Sequence, residues 1–294
     1  MIRRLNLSLN KHKGLKRFYQ QLYYVLLKRH VYALTSTFRV LPDLIVIGVV
    51  RGGTTSLYNY LSQHPCITKS AYDELGFFDD NYHLGLNWYR SMFPTKFTKN
   101  RIIKKYGKFM TYDVTPFYIY NPNAAQRIRE VLPQTKIIAV LRNPVDRAYS
   151  NYYLGVRSGN EKRTFEDAVI SDLNSIQNNR DMPKNNNYFE QIIGGSYLTR
   201  GFYAEHLQMW ANKFPKEQLF VISSEELARK TMETLQVVFD FLNLPDYKIK
   251  DLTKKNEAKY PTMNQDTRKM LIEYFRPHNE NLYSLLGKRF DWDK

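Results

Sequence analysis

Residues Leu44–Pro65 read LIVIGVVRGGTTSLYNYLSQHP. The opening run is apolar without alternation, the pattern of a short strand buried on both faces. A glycine-bearing turn follows, and then a helical pattern over Thr54–Gln63. Gly48, Gly52 and Gly53 let the backbone turn sharply and bring its amides close to a phosphate. The helix that begins near Thr54 adds unpaired N–H groups and a dipole that favours an anion. Thr54, Thr55 and Ser56 contribute hydroxyl donors, and Arg51 a fixed positive charge. A Walker loop would run G-x-x-x-x-G-K-[ST]. Here Thr54 stands where that lysine belongs, and the charge sits at Arg51, before the glycine pair. The stretch therefore implies a nucleotide-phosphate site whose chemistry is not ordinary ATP hydrolysis.

The rest of the chain fits an α/β domain around that loop. Further apolar runs predict strands over Phe109–Asp113, Lys136–Leu141 and Leu219–Ser223. Helical patterns predict Leu86–Phe93, Asn123–Val131, Pro144–Gly155, Phe165–Leu173, Leu198–Phe214 and Thr231–Leu242. Strands alternating with helices argue for a P-loop-like single domain: a central parallel β-sheet flanked by helices, with the site at the strands' carboxyl ends. The expected division is a basic N-terminal helical extension over 1–40 and the main α/β domain over 41–294. The Asn-rich stretch Asn174–Asn187, which contains Pro183, is expected to be a surface loop.

Composition bounds the partners. The 294 residues suffice for a sizeable core, and 23 Tyr and 17 Phe mark a globular chain. A net charge of +16 favours anionic partners. The single cysteine, Cys66, excludes an intrachain disulfide and a cysteine-based zinc site, and the six histidines show no metal-ligand spacing. No metal is expected. No apolar run near the N-terminus is long enough to span a bilayer, so the expected location is cytoplasmic. Leu15, Phe18, Leu22, Val25 and Leu26 lie at near-helical spacing in a basic segment. Such a helix either packs on its own domain, the preferred reading, or makes a peripheral membrane contact. No nucleic-acid-reading motif is present.

A second strand–turn–helix spans Lys136–Tyr153, KIIAVLRNPVDRAYSNYY. Asn143 suits an N-cap and Pro144 the first helical turn. Arg142 falls at the strand's end, facing the ligand crevice, with Ser150 two helical turns further on.

Together these two stretches resemble sulfotransferases that use 3′-phosphoadenosine 5′-phosphosulfate (PAPS). The first resembles the family's 5′-phosphosulfate loop, [KR]-x-G-T-[TS]-x-L with a helix ending in His-Pro. The matching residues are Arg51, Gly53, Thr54, Thr55, Leu57, His64 and Pro65. Many members carry lysine where Arg51 stands, and an arginine there is a poorer proton donor. The second resembles the motif in which an Arg and a Ser, here Arg142 and Ser150, hold the 3′-phosphate. The resemblance implies PAPS as donor, 3′,5′-ADP as product, and a donor site of Arg51, Gly52, Gly53, Thr54, Thr55, Ser56, Arg142 and Ser150.

Sulfuryl transfer to an alcohol or amine requires a base for the acceptor proton. Residues Ser70–Asp79, SAYDELGFFD, offer Asp73, Glu74 and Asp79, with Phe77 and Phe78 as core anchors. This segment resembles the E-x-x-F-F element of the heparan sulfate N- and 3-O-sulfotransferase group, which makes Glu74 the implied general base and Arg51 its catalytic partner at the leaving group. Residues Asn81–Pro94 resemble the same group's Y-x-x-G-x-x-W-Y element, carried by Tyr82, Gly85, Trp88 and Tyr89. The implied acceptor is an anionic or neutral glycan. A small-molecule acceptor is the alternative, and a P-loop ATP kinase a more distant one. Ser196–Tyr203 also resembles a family element, in which Tyr197 lines the nucleotide pocket or is simply a core tyrosine. Residues Lys254–Met263, KKNEAKYPTM, occupy the place of a Lys-Gly-Arg run that grips the donor. Here Asn256, Glu257 and Ala258 interrupt it, leaving Lys254, Lys255 or Lys259 as substitutes.

Overall fold

A computed structural model describes residues 32–71, 73–179, 195–253 and 260–292. Its centre is a five-stranded, wholly parallel sheet of β1 (Leu44–Gly48), β2 (Ile67–Lys69), β3 (Met110–Val114), β4 (Lys136–Leu141) and β5 (Leu219–Ser223). The spatial order is β2-β3-β1-β4-β5. Among the described residues the α-helices are α1 (Thr54–Leu61), α2 (Leu86–Ser91), α3 (Lys96–Tyr106), α4 (Ala124–Val131), α5 (Pro144–Ser158), α6 (Phe165–Asn178), α7 (Tyr203–Ala211), α8 (Ser224–Arg229), α9 (Thr231–Phe241) and α10 (Gln265–Leu286).

The pleat sends successive β1 side chains to opposite faces. Ile45 and Ile47 join one buried cluster with Tyr89, Ile128, Leu207 and Trp210, from α2, α4 and α7. Leu44 and Val46 join another with Leu57, Leu61, Val238 and Phe239, from α1 and α9. Every residue of β1 is therefore buried, which is why the run shows no polar alternation. A third cluster, around Tyr149, Tyr152, Phe165, Leu271 and Phe275, ties α5, α6 and α10 together.

The expected α/β fold is what the chain adopts, and β4 and β5 begin and end where the apolar runs do. Several local expectations need correction. The helix expected over Leu198–Phe214 starts at Tyr203, because Thr199–Gly201 forms a 3-10 turn. That turn is tightly packed: a Cβ on Gly201 would lie 2.7 Å from the Phe275 ring. The loop expected over Asn174–Asn187 begins later, since α6 continues to Asn178. Leu173 and Ile176 pack against the third cluster and carry the helix through the asparagines. Residues 180–187 lie outside the described residues, as do residues 1–31 of the N-terminal extension. Within the described residues no helix is long and apolar enough to cross a membrane.

The topology puts one place apart. From β1 the chain moves outward to β2 and returns through β3; from β4 it moves the other way, to β5. The two directions part between β1 and β4, and in open parallel sheets that parting leaves a crevice beyond the strands' carboxyl ends.

Candidate active site

Both strand–turn–helix motifs open into this crevice. After β1 the backbone folds back on the sheet, with Val49 N–H donating to the Val140 carbonyl at 2.9 Å. Gly52 packs so closely on β4 that a Cβ would stand 2.5 Å from that same carbonyl oxygen. Gly53 precedes α1 in the left-handed conformation, φ 93°, and supplies no side-chain cap. The N-terminus of α1 thus presents its dipole to the crevice without a competing side chain. Thr54 and Ser56 are buried and Thr55 is half-buried on this first turn.

The structure brings Arg51, Arg142 and Ser150 together. Arg51, itself at φ 67°, donates from Nε to Ser150 Oγ at 2.9 Å. Arg142 donates from Nη1 to the Arg51 carbonyl at 3.3 Å. Asn143, the N-cap of α5, accepts from Val145 N–H at 3.0 Å and holds the turn that aims Arg142. Burial pulls the Arg51 guanidinium below its ordinary pKa, and the charges of Arg157 and Arg142 pull it further. Among the described residues no carboxylate pairs with Arg51, Arg142 or Arg157. Three like charges so placed favour an anion between them.

Arg157 went unnoticed in the sequence, since it lies on the last turn of α5, where a basic residue is ordinary for any helix. Tyr260 joins this side from the C-terminal part of the chain. It accepts from Arg142 Nη2 at 3.5 Å and stacks on Tyr153 with centroids 5.0 Å apart. Tyr197 is buried, its ring beside Tyr152 and its hydroxyl donating to Glu161 at 3.1 Å, the contacts of a core tyrosine. Lys254, Lys255 and Lys259 lie outside the described residues.

His64, the histidine of the His-Pro pair, is structural. It is buried, accepts from Cys66 N–H at Nδ1, and donates from Nε2 to the Pro245 carbonyl at 2.9 Å. That arrangement is the neutral tautomer, consistent with burial lowering its pKa.

Glu74 is exposed at the same edge of the sheet. Its N–H donates to the carbonyl of Val114, the last residue of β3, at 2.9 Å, and it takes φ 54°. Since β3 lies beside β1, Glu74 and Arg51 occupy neighbouring strand ends. Phe77 and Phe78 are buried as expected, and Phe77 stacks on Tyr89 at 4.4 Å. Under the loop sits Asp113, fully buried, whose pKa burial pushes up to about 6. Hydrogen bonds from Thr115, Tyr89 and Tyr118 oppose that rise and the Glu74 charge adds to it. Burial likewise pushes Asp79 up to about 6, against the Asp80 N–H bond. Among the described residues no group of His, Cys, Asp or Glu is arranged to hold a metal ion.

Known proteins resemble this chain in sequence, and one solved structure resembles it in fold. A membrane-associated sulfotransferase, kil1, of Dictyostelium discoideum is 27% identical over 86% of this chain and 66% of its own length. The heparan sulfate glucosamine 3-O-sulfotransferase 3B1 of Mus musculus is 30% identical over 86% of this chain and 65% of its own. The chain thus spans just under two thirds of each of these relatives. A sulfotransferase crystal structure from Alicyclobacillus acidocaldarius superposes with a TM-score of 0.66 at 25% identity, covering 87% of this chain and all of that one. A sulfotransferase domain profile matches residues 41–292, from just before β1 to the end of the described chain, and the chain belongs to the sulfotransferase domain family.

Proposed function

We propose that this protein transfers a sulfuryl group from PAPS to a hydroxyl or amine of a carbohydrate. The observation that carries this reading is the convergence of Arg51, Arg142 and Arg157, without a carboxylate partner among the described residues, beside an uncapped helix N-terminus at the sheet's switch point. PAPS has two anionic ends, and the site has two corresponding groups of donors. The glycine turn and Arg51 suit the 5′-phosphosulfate, and Arg142 with Ser150 suits the 3′-phosphate. The 3-O-sulfotransferase relative acts on heparan sulfate glucosamine, which supports a sugar acceptor.

In the proposed reaction the acceptor oxygen or nitrogen attacks sulfur in line with the bond to the 5′-phosphate. As the new bond forms, the sulfur–oxygen bond to phosphate breaks and 3′,5′-ADP departs. Glu74 takes the acceptor proton, and Arg51 offsets the charge that grows on the leaving phosphate. No water-activating metal is needed, because the nucleophile is the acceptor itself.

Radiolabelled transfer from PAPS to a panel of glycans, small alcohols, amines and phenols tests this. Label on a glycan, with binding of 3′,5′-ADP and no binding of Mg-ATP, is the expected result. Label on a phenol alone would move the acceptor to the small-molecule class. Absence of transfer to every acceptor together with no 3′,5′-ADP binding would end the reading.

A further inference from the structure

The loop that carries Glu74 is suspended from a single buried carboxylate. Thr115 donates its hydroxyl proton to Asp113 Oδ1 at 2.9 Å, and Tyr118 donates to Oδ2 at 3.0 Å. A hydroxyl has one proton, so each of these oxygens, once it has donated to the carboxylate, is left with lone pairs only. Those lone pairs meet the loop backbone. Gly76 N–H donates to Thr115 Oγ1 at 3.3 Å, and Phe77 and Phe78 N–H donate to the Tyr118 hydroxyl at 2.7 and 3.2 Å. Tyr89 completes the shell, donating to Asp113 Oδ2 at 3.0 Å while its ring stacks on Phe77.

The direction of every bond depends on the carboxylate. Three hydroxyls point inward because Asp113 accepts only, and three loop amides point at the hydroxyls for that reason. An amide side chain in its place would present N–H to one of these hydroxyls. That hydroxyl would then turn its proton toward the loop amides, which cannot accept it. Carbonyl bonds also tie the loop, from Asn81 to Leu75 and Gly76 and from Arg127 to Phe78, but the amides of residues 76–78 rest on the two hydroxyls, and Glu74 and Gly76 both take positive φ, 54° and 58°. A non-glycine residue keeps such a conformation only where its surroundings hold it there.

We propose that Asp113 is the positioning residue for Glu74, acting through the Thr115 and Tyr118 hydroxyls to hold the turn at residues 74–78. The inference rests on Glu74 being the base of the proposed transfer, and it concerns a residue that touches neither donor nor acceptor.

Its test reads backbone and turnover separately, in the full chain. Amide hydrogen exchange resolved to single residues should show three distinct patterns. Tyr118→Phe should speed exchange at Phe77 and Phe78 by about tenfold or more and leave Gly76 protected. Thr115→Val should expose Gly76 alone, and Asp113→Asn all three. Binding of 3′,5′-ADP should stay within about twofold in each, since the donor residues follow other strands. Turnover from PAPS to heparan sulfate should fall about tenfold or more in Asp113→Asn, yet fall no further when Asp113→Asn is added to Glu74→Gln. Equal losses in both backgrounds, or exchange that is unchanged or rises throughout the chain, would overturn the inference. If Asp113→Asn does not fold, Tyr118→Phe enters the same cycle with Glu74→Gln. Should Glu74→Gln keep full turnover, or the wild type transfer nothing, the proposed function fails instead, and the exchange patterns still decide whether Asp113 holds the loop.

Discussion

The two sides of the crevice are built by opposite means. On the proposed donor side, after β1 and β4, positive charge gathers with no carboxylate partner among the described residues, and burial together with the charges of Arg157 and Arg142 lowers the proton affinity of Arg51. On the side of Glu74, after β3, negative charge is wrapped in hydroxyls, with Asp113 receiving three of them. The first arrangement favours an incoming anion. The second is complete in itself and serves to hold a backbone in place. In the proposed transfer, the first design suits a site that must release its product after each cycle, and the second a base that must return to one position each time.

Substitutions can break this contrast. The largest effect is expected from Gly52→Ala. Its new Cβ would collide with the Val140 carbonyl at 2.5 Å, so the loop must leave the sheet. A loss of about 3 kcal/mol in stability is expected, with retention on immobilised 3′,5′-ADP abolished; denaturant titration and affinity chromatography measure both. Next comes Glu74→Gln, which should lower kcat by about 100-fold or more while binding of 3′,5′-ADP is unchanged. If binding weakens in parallel, the two sides are not separate. Arg51→Ala should weaken 3′,5′-ADP binding by about 10–100-fold and flatten its salt dependence, as calorimetry at several ionic strengths would show.

The smallest effect probes the support beneath the donor side. Hydrogen bonds from Arg163 hold the Glu161 carboxyl down to about 2, despite its burial, and Tyr197 and the Lys162 and Arg163 N–H groups add to this. A carboxyl with a lowered folded-state pKa contributes stability above its ordinary value, and loses it as pH falls through the folded one. Glu161→Gln should therefore cost about 1–2 kcal/mol at neutral pH, and the difference from wild type should vanish as pH falls from about 4.5 to about 2. A difference that is constant with pH would show that the carboxyl's charge plays no part.

The donor side was legible in the sequence and the opposite side much less so. RGGTTS and LRNPVDRAYS carry their chemistry in contiguous residues, because a strand end and the helix after it form one local unit. Arg51, Arg142 and Ser150 could thus be named and are found together. Asp113 offered no such signal. A lone acid closing a short apolar run reads as a surface residue, and its importance arises only when Tyr89, Thr115 and Tyr118 close round it in three dimensions. Arg157 was hidden for the opposite reason, since basic residues are common at helix ends. Among the elements, α10 escaped notice because Pro277 breaks the pattern in the middle of a 22-residue helix. Buried Leu271, Phe275, Leu282 and Tyr283 hold it together across the proline. The edge strand β2 has only three residues, too few for any period to show.

The crowded guanidiniums have a practical consequence. A protein whose empty site repels itself is more heat-labile alone than in company, and the gap widens with the charge of the company it keeps. Melting temperature should then rank small anions without any knowledge of the acceptor: chloride least, sulfate and pyrophosphate more, 3′,5′-ADP most, each rising with concentration as mass action requires. The fold would report on the proposed nucleotide, and a simple melt would serve as the first assay.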